Sequence, residues 1–173
     1  MANPLEQMSV KAAGTMKAMK AGFDGLRGVF LHLAEEHGEA GALMKRVSKS
    51  ADADVRREHW SQIRSELLSH EQAEMAEVYP LLAGNEATRA IVTLHSQEAG
   101  QLKEAIATVD AHDFASSAWG AAFERLFTLV QQHVSEEEND FFPKAQEVLS
   151  EDQSKVALER YEAAKRAAKG HAD

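Results

Sequence analysis

Apolar residues recur three and four positions apart along most of the chain, which is the spacing of one face of an α-helix. Alternating apolar and polar runs, which would predict strands, are lacking. Glycine and proline are sparse and fall between the periodic segments, where they mark boundaries. The pattern therefore predicts an all-α chain whose four long helices cover about 24–47, 54–82, 86–110 and 117–148.

Two further helical segments are predicted at the ends of the chain. The first covers about 4–21, and Ser150 is placed to cap a last, short helix that runs to about residue 168. Asp24 is predicted to cap the first long helix, and Pro80 is expected to bend or end the last turn of the second.

Short loops between long helices predict an antiparallel, up-down-up-down four-helix bundle. The expected organisation is an N-terminal helical extension (1–23), the bundle (24–150) and a short C-terminal helix with its tail (151–173).

Histidines interrupt the apolar faces of all four long helices. Each lies three or four positions from an apolar residue of the same face, so each is predicted to point into the bundle. They are His37, His70, His95 and His133, one on each helix in turn. A single buried histidine is usually an ordinary core residue, whereas four that converge in one bundle predict a shared site.

Two of these helices repeat one polar motif. HEQAEMAEVYP starts at His70 and HVSEEENDFFP starts at His133, with Glu74 and Glu137 four positions after the histidines. Residues four apart are neighbours on a helix, so the imidazole can bind one metal ion while the carboxylate bridges to a second. A metal ion also offsets the charge of buried carboxylates, which are costly to bury alone. Imidazole and carboxylate without thiolate favour iron or manganese over structural zinc.

The composition excludes several classes of partner. The 173 residues are 44% hydrophobic and 27% charged, which is typical of a globular domain. The net charge of −9 argues against nucleic acid and against an anionic membrane surface as partners. The chain has no cysteine, no apolar run long enough to cross a membrane and no recognisable secretory signal. A cytoplasmic location is therefore expected.

The segments around the motifs resemble the hemerythrin-like, or HHE cation-binding, family. They are EEHGEAGALMKRV (35–47), LLSHEQAEMAEVYPLL (67–82), LHSQEAGQL (94–102) and VQQHVSEEENDFFPKAQEVL (130–149). The resemblance covers about 24–168 and follows the family order of His, His-x-x-x-Glu, His, His-x-x-x-Glu. It implies two iron ions with an oxo or hydroxo bridge, held by His37, His70, Glu74, His95, His133 and Glu137.

Two positions depart from the oxygen-carrying members of that family. Ala99 stands where those members have a second histidine on the third helix. Their last carboxylate lies five positions after the final histidine, where this chain has Glu138 beside the better-placed Glu137. Fewer imidazoles imply an open position on each iron, which favours reaction with peroxide or NO over reversible O2 carriage. A further ligand such as His32 or Glu98 would close such a position.

Two histidines are candidates for the metal ligand on the first long helix. His37 lies on the better apolar face and carries the acidic flanks typical of the family. His32 lies 63 residues before His95, the same separation as that of the two repeated motifs. The apolar pattern favours His37.

The leading functional expectation is a di-iron protein that binds or reacts with O2, NO or peroxide. One alternative is a peroxide-decomposing enzyme of the catalase or peroxidase type. Another is an iron-sensing or iron-storage protein, and a sensor would need a protein partner. The sequence leaves open whether the chain is an enzyme, and the remaining alternative is a metal-free bundle used for interaction.

Overall fold

The structure is a computed structural model that describes residues 4–170, apart from the side chain of Glu6. All regular elements within this range are helical. They are α1 (Pro4–Phe23), α2 (Gly28–Ser48), α3 (Ala53–Ala73), a first π turn (Glu74–Val78), α4 (Tyr79–Leu82), α5 (Glu86–Asp110), α6 (Ser117–Glu136), a second π turn (Glu137–Phe141), α7 (Phe142–Val148) and α8 (Glu151–Lys169). Each π turn joins its two neighbours into one continuous helix, so the described residues form a bundle of six helices.

Polar side chains cap the N-termini of most of the helices, as the local sequence predicts. The Ser150 hydroxyl accepts a hydrogen bond from the Gln153 N–H, while the Gln153 side-chain oxygen accepts one from the Ser150 N–H. This reciprocal cap confirms the predicted start of α8. Asn85 and Ser116 cap α5 and α6 in a similar way.

The prediction that Asp24 caps the first long helix is wrong. The Asp24 N–H bonds to the Lys20 carbonyl and so closes the end of α1. The chain then turns through Gly25 and Gly28, whose positive φ angles of 97° and 59° suit glycine. The next helix begins at Gly28, and its N-cap Arg27 makes no side-chain cap bond.

The two π turns are not foreseen by the apolar pattern. Each is followed directly by an aromatic residue and a proline, Tyr79-Pro80 in one case and Phe142-Pro143 in the other. Proline has no N–H, and its ring clashes with the carbonyl four residues earlier, so a regular α-helix cannot continue unchanged through it. A wider π turn is one way to pass such a position.

The α1 helix packs on α2 through two glycines. A Cβ on Gly38 would lie 2.9 Å from the Cα of Gly14 and 2.8 Å from the Cβ of Lys17. Only hydrogen at these positions allows the two backbones to approach so closely. The opposite face of α1 exposes large apolar side chains, among them Met16 and Phe23.

The core divides into two hydrophobic clusters. The first contains Phe30, Tyr79 and Phe142, and the second contains Trp60 and Trp119, together with their aliphatic neighbours. Along α2, α3, α5 and α6 the predicted site residues fall between the part of the helix in one cluster and the part in the other. Successive long helices pass through the two clusters in alternating order. A polar layer therefore crosses the middle of the bundle.

None of the helices within residues 4–170 combines the length and apolarity that crossing a membrane requires.

Candidate metal centre

The six residues predicted from the sequence all reach the polar layer. His37 lies on α2, His70 at the end of α3, His95 on α5 and His133 on α6, while Glu74 and Glu137 each begin a π turn. Glu74 and Glu137 are fully buried, and His37 and His95 are nearly so. The side chains of His70 and His133 are 14% exposed. Each motif thus places its carboxylate deep in the bundle and its imidazole nearer the surface.

One half of the layer is built around a pair of imidazoles from α2 and α3. The Nε2 atoms of His37 and His70 lie 3.2 Å apart. Glu137 Oε2 lies 3.3 Å from His37 Nε2, and Glu74 Oε2 lies 3.3 Å from His70 Nε2. His37, His70 and Glu137 offer ligand atoms within 4.8 Å of one another, which is close enough to hold one metal ion.

The other half repeats this geometry with the imidazoles of α5 and α6. The rings of His95 and His133 lie 4.9 Å apart at 53°, against 5.0 Å and 53° for His37 and His70. His133 Nε2 lies 3.5 Å from Glu137 Oε2. Further candidate groups join His133 to His95 and Glu98, and to Glu71 and Glu74. The repeated sequence motif therefore corresponds to a repeated structural half-site.

All four imidazoles have a partner for Nδ1. It is Glu138 for His37 at 2.9 Å, Glu36 for His70 at 2.9 Å, Glu98 for His133 at 3.1 Å and Tyr79 for His95 at 3.2 Å. Because Tyr79 donates its hydroxyl proton to Glu137, its oxygen is free to accept from His95. An Nδ1–H bond of this kind orients the ring and leaves the lone pair on Nε2 for a metal ion.

The α8 helix completes the support of His70. The Tyr161 hydroxyl donates to Glu36 and lies 2.8 Å from His70 Nδ1. Lys165 Nζ lies 2.6 Å from the same Glu36 oxygen. Tyr161 is fully buried, and it is 125 residues from Glu36 in the sequence, so no local spacing could have revealed the contact.

The centre of the layer holds polar atoms that make no hydrogen bond. They are both side-chain oxygens of Glu74, Oε2 of Glu137 and Nε2 of His133. Buried polar groups are nearly always hydrogen-bonded, and a cluster of unbonded oxygens around imidazole nitrogens is unfavourable by itself. A cation would satisfy these atoms together. The donor set, imidazole nitrogen with carboxylate oxygen, fits iron or manganese.

The charges in the layer shift the pKa of the two less buried imidazoles upward. Burial lowers the pKa of His70, but the charge of Glu74 and the hydrogen bond to Glu36 outweigh it and raise the pKa to about 10. For His133, burial is outweighed by the charges of Glu137 and Glu71, and the pKa rises to about 9. In the metal-free protein, protons on these rings thus balance part of the negative charge that metal ions would balance.

The carboxyl groups shift in two directions. Burial opposes ionisation of Glu137, but the charges of His133 and His37 hold its pKa well below the usual range. Burial and the charge of Glu74 raise the pKa of Glu71 to about 7.

The structure also separates the two histidines of the first long helix. His37 belongs to a candidate metal group, whereas His32 lies against Glu36, with its Nε2 3.3 Å from Glu36 Oε1, and belongs to none of the groups found among the described residues. Glu98, which the sequence offers as a further ligand, bonds to His133 Nδ1 and also belongs to one group. The sequence reasoning missed Glu71, although it lies three positions before Glu74 and so shares a helix face with it.

A comparison with known families agrees with this geometry. The sequence model of the family described as the hemerythrin HHE cation binding domain matches residues 29–145, which is more than half of the chain. The matched segment contains all six predicted ligands and both π turns, and it excludes α1 and α8. No curated protein and no solved structure matches the chain. The family match confirms the resemblance seen in the motifs: this chain belongs to the hemerythrin HHE cation-binding domain family.

Proposed function

We propose that the chain binds two iron ions in the polar layer, and that the loaded centre binds or reacts with O2, NO or peroxide. The observation that carries the proposal is the position of Glu137. Its Oε2 lies 3.3 Å from the His37 nitrogen of one half-site and 3.5 Å from the His133 nitrogen of the other, and it makes no hydrogen bond. A carboxylate placed in this way can serve two metal ions at once.

The two halves would divide the ligands between them. His37 and His70 would hold one iron, His95 and His133 would hold the other, and Glu74 and Glu137 would be shared. When bound, the iron ions supply Lewis acidity and electrons for redox chemistry with small molecules.

The residues around the ligands orient and shield them. Glu36, Glu98, Glu138 and Tyr79 hold the four rings through Nδ1, which keeps each Nε2 available for metal binding. The two hydrophobic clusters lie on either side of the layer and limit the access of water and ions. Such surroundings suit small neutral ligands better than charged ones.

Metal analysis tests the proposal. Protein loaded with ferrous iron without oxygen and then desalted should retain two iron ions per chain. Glu137→Ala should lose at least one of them, because the carboxylate shared by both half-sites is removed. Glu136→Ala is the matched control, because Glu136 is exposed and adjacent in sequence, and it should retain two.

The dinuclear centre would be ruled out if the unsubstituted protein retains no more than one iron ion per chain. It would also be ruled out if Glu137→Ala retains as much iron as the unsubstituted protein. An absorption spectrum recorded under O2, NO and hydrogen peroxide in turn then identifies the reacting ligand.

A further inference from the structure

A pocket of about 170 Å³ opens beside the proposed metal centre. Most of its wall is aliphatic and comes from Leu43, Leu67, Leu102, Leu129, Val130 and Val134. Its polar lining includes His70, His133 and Glu71, and we call these three residues its polar end. An aliphatic cavity of about 150 Å³ can hold a benzene molecule. The pocket is therefore much larger than O2, NO or hydrogen peroxide requires.

The polar end contains a hydrogen-bond acceptor without a donor. Glu71 is 3% exposed, and its Oε1 has no hydrogen-bond partner. Its other oxygen lies 3.6 Å from His133 Nε2, so the carboxylate lies next to the proposed iron ligands. A buried acceptor of this kind is stabilised when a ligand in the pocket donates a hydrogen bond to it.

The two lysines that line the pocket are already paired with carboxylates. Lys165 lies 2.6 Å from Glu36 and 3.1 Å from Glu66, and Lys169 lies 2.5 Å from Glu66. Both lysines that line the pocket are thus neutralised by carboxylates, and a carboxylate or phosphate ligand would have to displace them. This pairing argues against an anionic ligand, and the aliphatic wall favours a ligand whose body carries no charge.

We propose that this pocket binds a neutral organic molecule that has an apolar body about the size of benzene and an O–H group directed at Glu71. Alcohols and phenols on one side, and organic hydroperoxides on the other, share this chemistry. The inference rests on the proposed function for the position of the metals, and it deepens that function by naming the class of ligand.

The size of the ligand is tested by titration calorimetry on the iron-loaded protein. Methanol and tert-butanol form the alcohol arm, and hydrogen peroxide and tert-butyl hydroperoxide form the hydroperoxide arm. Burial of one CH2 contributes about 0.8 kcal/mol, which is about a fourfold change in affinity. If the compounds of an arm bind in the pocket, the larger compound of that arm should thus bind at least about 50-fold more tightly than the smaller one.

The outcome assigns the source of the ligand. A size effect in the alcohol arm as well as the hydroperoxide arm supports O–H recognition in general, and an effect in the hydroperoxide arm alone assigns the pocket to hydroperoxides. Equal affinities of the small and large members in both arms would overturn the proposal.

Two variants on one helix test the location. Ala40 lines the pocket and Ala42 does not, and both are partly buried on α2. Ala40→Phe should fill the pocket and weaken binding of tert-butanol or tert-butyl hydroperoxide at least tenfold. Ala42→Phe should leave that affinity within about twofold. An unchanged affinity in folded Ala40→Phe would contradict the pocket as the binding site.

The role of Glu71 is tested by comparing phenol with benzene. The native protein should prefer phenol about tenfold, because a hydrogen bond to Glu71 is gained, and Glu71→Leu should abolish that preference while benzene still binds. A preference unchanged by Glu71→Leu would contradict the O–H recognition. If Glu71→Leu does not fold, the ligand series and the two alanine variants still decide the proposal.

Iron content separates failure of this inference from failure of the proposed function. If the pocket is wrong, the protein retains two iron ions and shows no size effect. If the dinuclear centre is wrong, the iron content falls below two, while benzene can still be tested for entry into the pocket.

Discussion

Each imidazole in the polar layer has two nitrogens with different tasks. The Nδ1 atoms bond to Glu36, Glu98, Glu138 and Tyr79. Nε2 of His37, His70 and His133 lies near Glu74 or Glu137. A histidine can act as a ligand in such a centre if its Nδ1 has a hydrogen-bond partner and its Nε2 lies within reach of the other candidate ligand atoms. His32 belongs to no candidate metal group among the described residues, and its Nε2 lies 3.3 Å from Glu36, a carboxylate that also bonds to His70 Nδ1.

Substitution of the two histidines of α2 should therefore have different effects. His37→Ala should lower the iron content by at least one ion per chain, because a proposed ligand is lost. His32→Ala should keep two ions, because only an outer contact to Glu36 is lost. Metal analysis after anaerobic loading measures both. Loss of iron in His32→Ala with retention in His37→Ala would assign the ligand to His32.

At the scale of helices, the two π turns connect the motifs to the site. Both begin at a buried glutamate, Glu74 or Glu137, and both end just before an aromatic residue and a proline. The motif thus encodes a candidate metal ligand together with the local widening of the helix that begins at it. π turns are often found at functional sites, and these two give the half-sites the same backbone setting.

The contact between α1 and α2 depends on helices approaching at glycine. A Cβ on Gly38 would collide with backbone atoms of α1, among them the Ala13 carbonyl oxygen at 2.9 Å. Gly41 lies one turn away on the same helix, and a Cβ there would have nothing within 4 Å.

Alanine at these two glycines should change stability with opposite signs. Gly41→Ala should raise the free energy of unfolding by up to about 1 kcal/mol, because alanine is the better helix former. Gly38→Ala should lower it by about 1–3 kcal/mol, because the forced separation of α1 from α2 outweighs that gain. Urea unfolding of both variants measures the difference. Equal shifts would show that the close approach of α1 is not important for stability.

The molecule as a whole concentrates negative charge in its centre. Without metal, His70 and His133 keep protons that balance the carboxylates, because their pKa values are raised to about 10 and 9 from the ordinary histidine value of 6.5. Because the folded pKa values are raised, the native state binds more protons than the unfolded chain between pH 6.5 and 9.

The stability of the metal-free protein should therefore fall as the pH rises. The contribution of the two histidines is complete below about pH 6.5 and is lost as the pH rises through about 9 and 10. From about pH 6.5 up to the raised pKa of each histidine, the free energy of unfolding should decrease by about 1.4 kcal/mol per pH unit for that histidine. Urea unfolding of metal-free protein across this range tests the prediction, and a rise in stability would contradict it.

The local sequence predicted much of the fold because the elements involved have local causes. The period of apolar residues places helices to within a few residues, and α5 runs from Glu86 to Asp110 as predicted. The same period directs His37, His70, His95 and His133 inward. The prediction for Asp24 failed because the chain turns through Gly25 and Gly28 before α2 begins, and the apolar pattern does not place that boundary sharply.

The sequence by itself determined the helices, the inward direction of four histidines and two glutamates, and the family to which the chain belongs. These follow from spacing along one helix, where backbone geometry sets which residues share a face. Only the tertiary structure places His37, and not His32, in a candidate metal group among the described residues, brings Tyr161 and Lys165 of α8 to Glu36, and places Glu71 in the pocket. Those contacts join distant helices, and packing of the whole chain, rather than any local spacing, determines which faces meet.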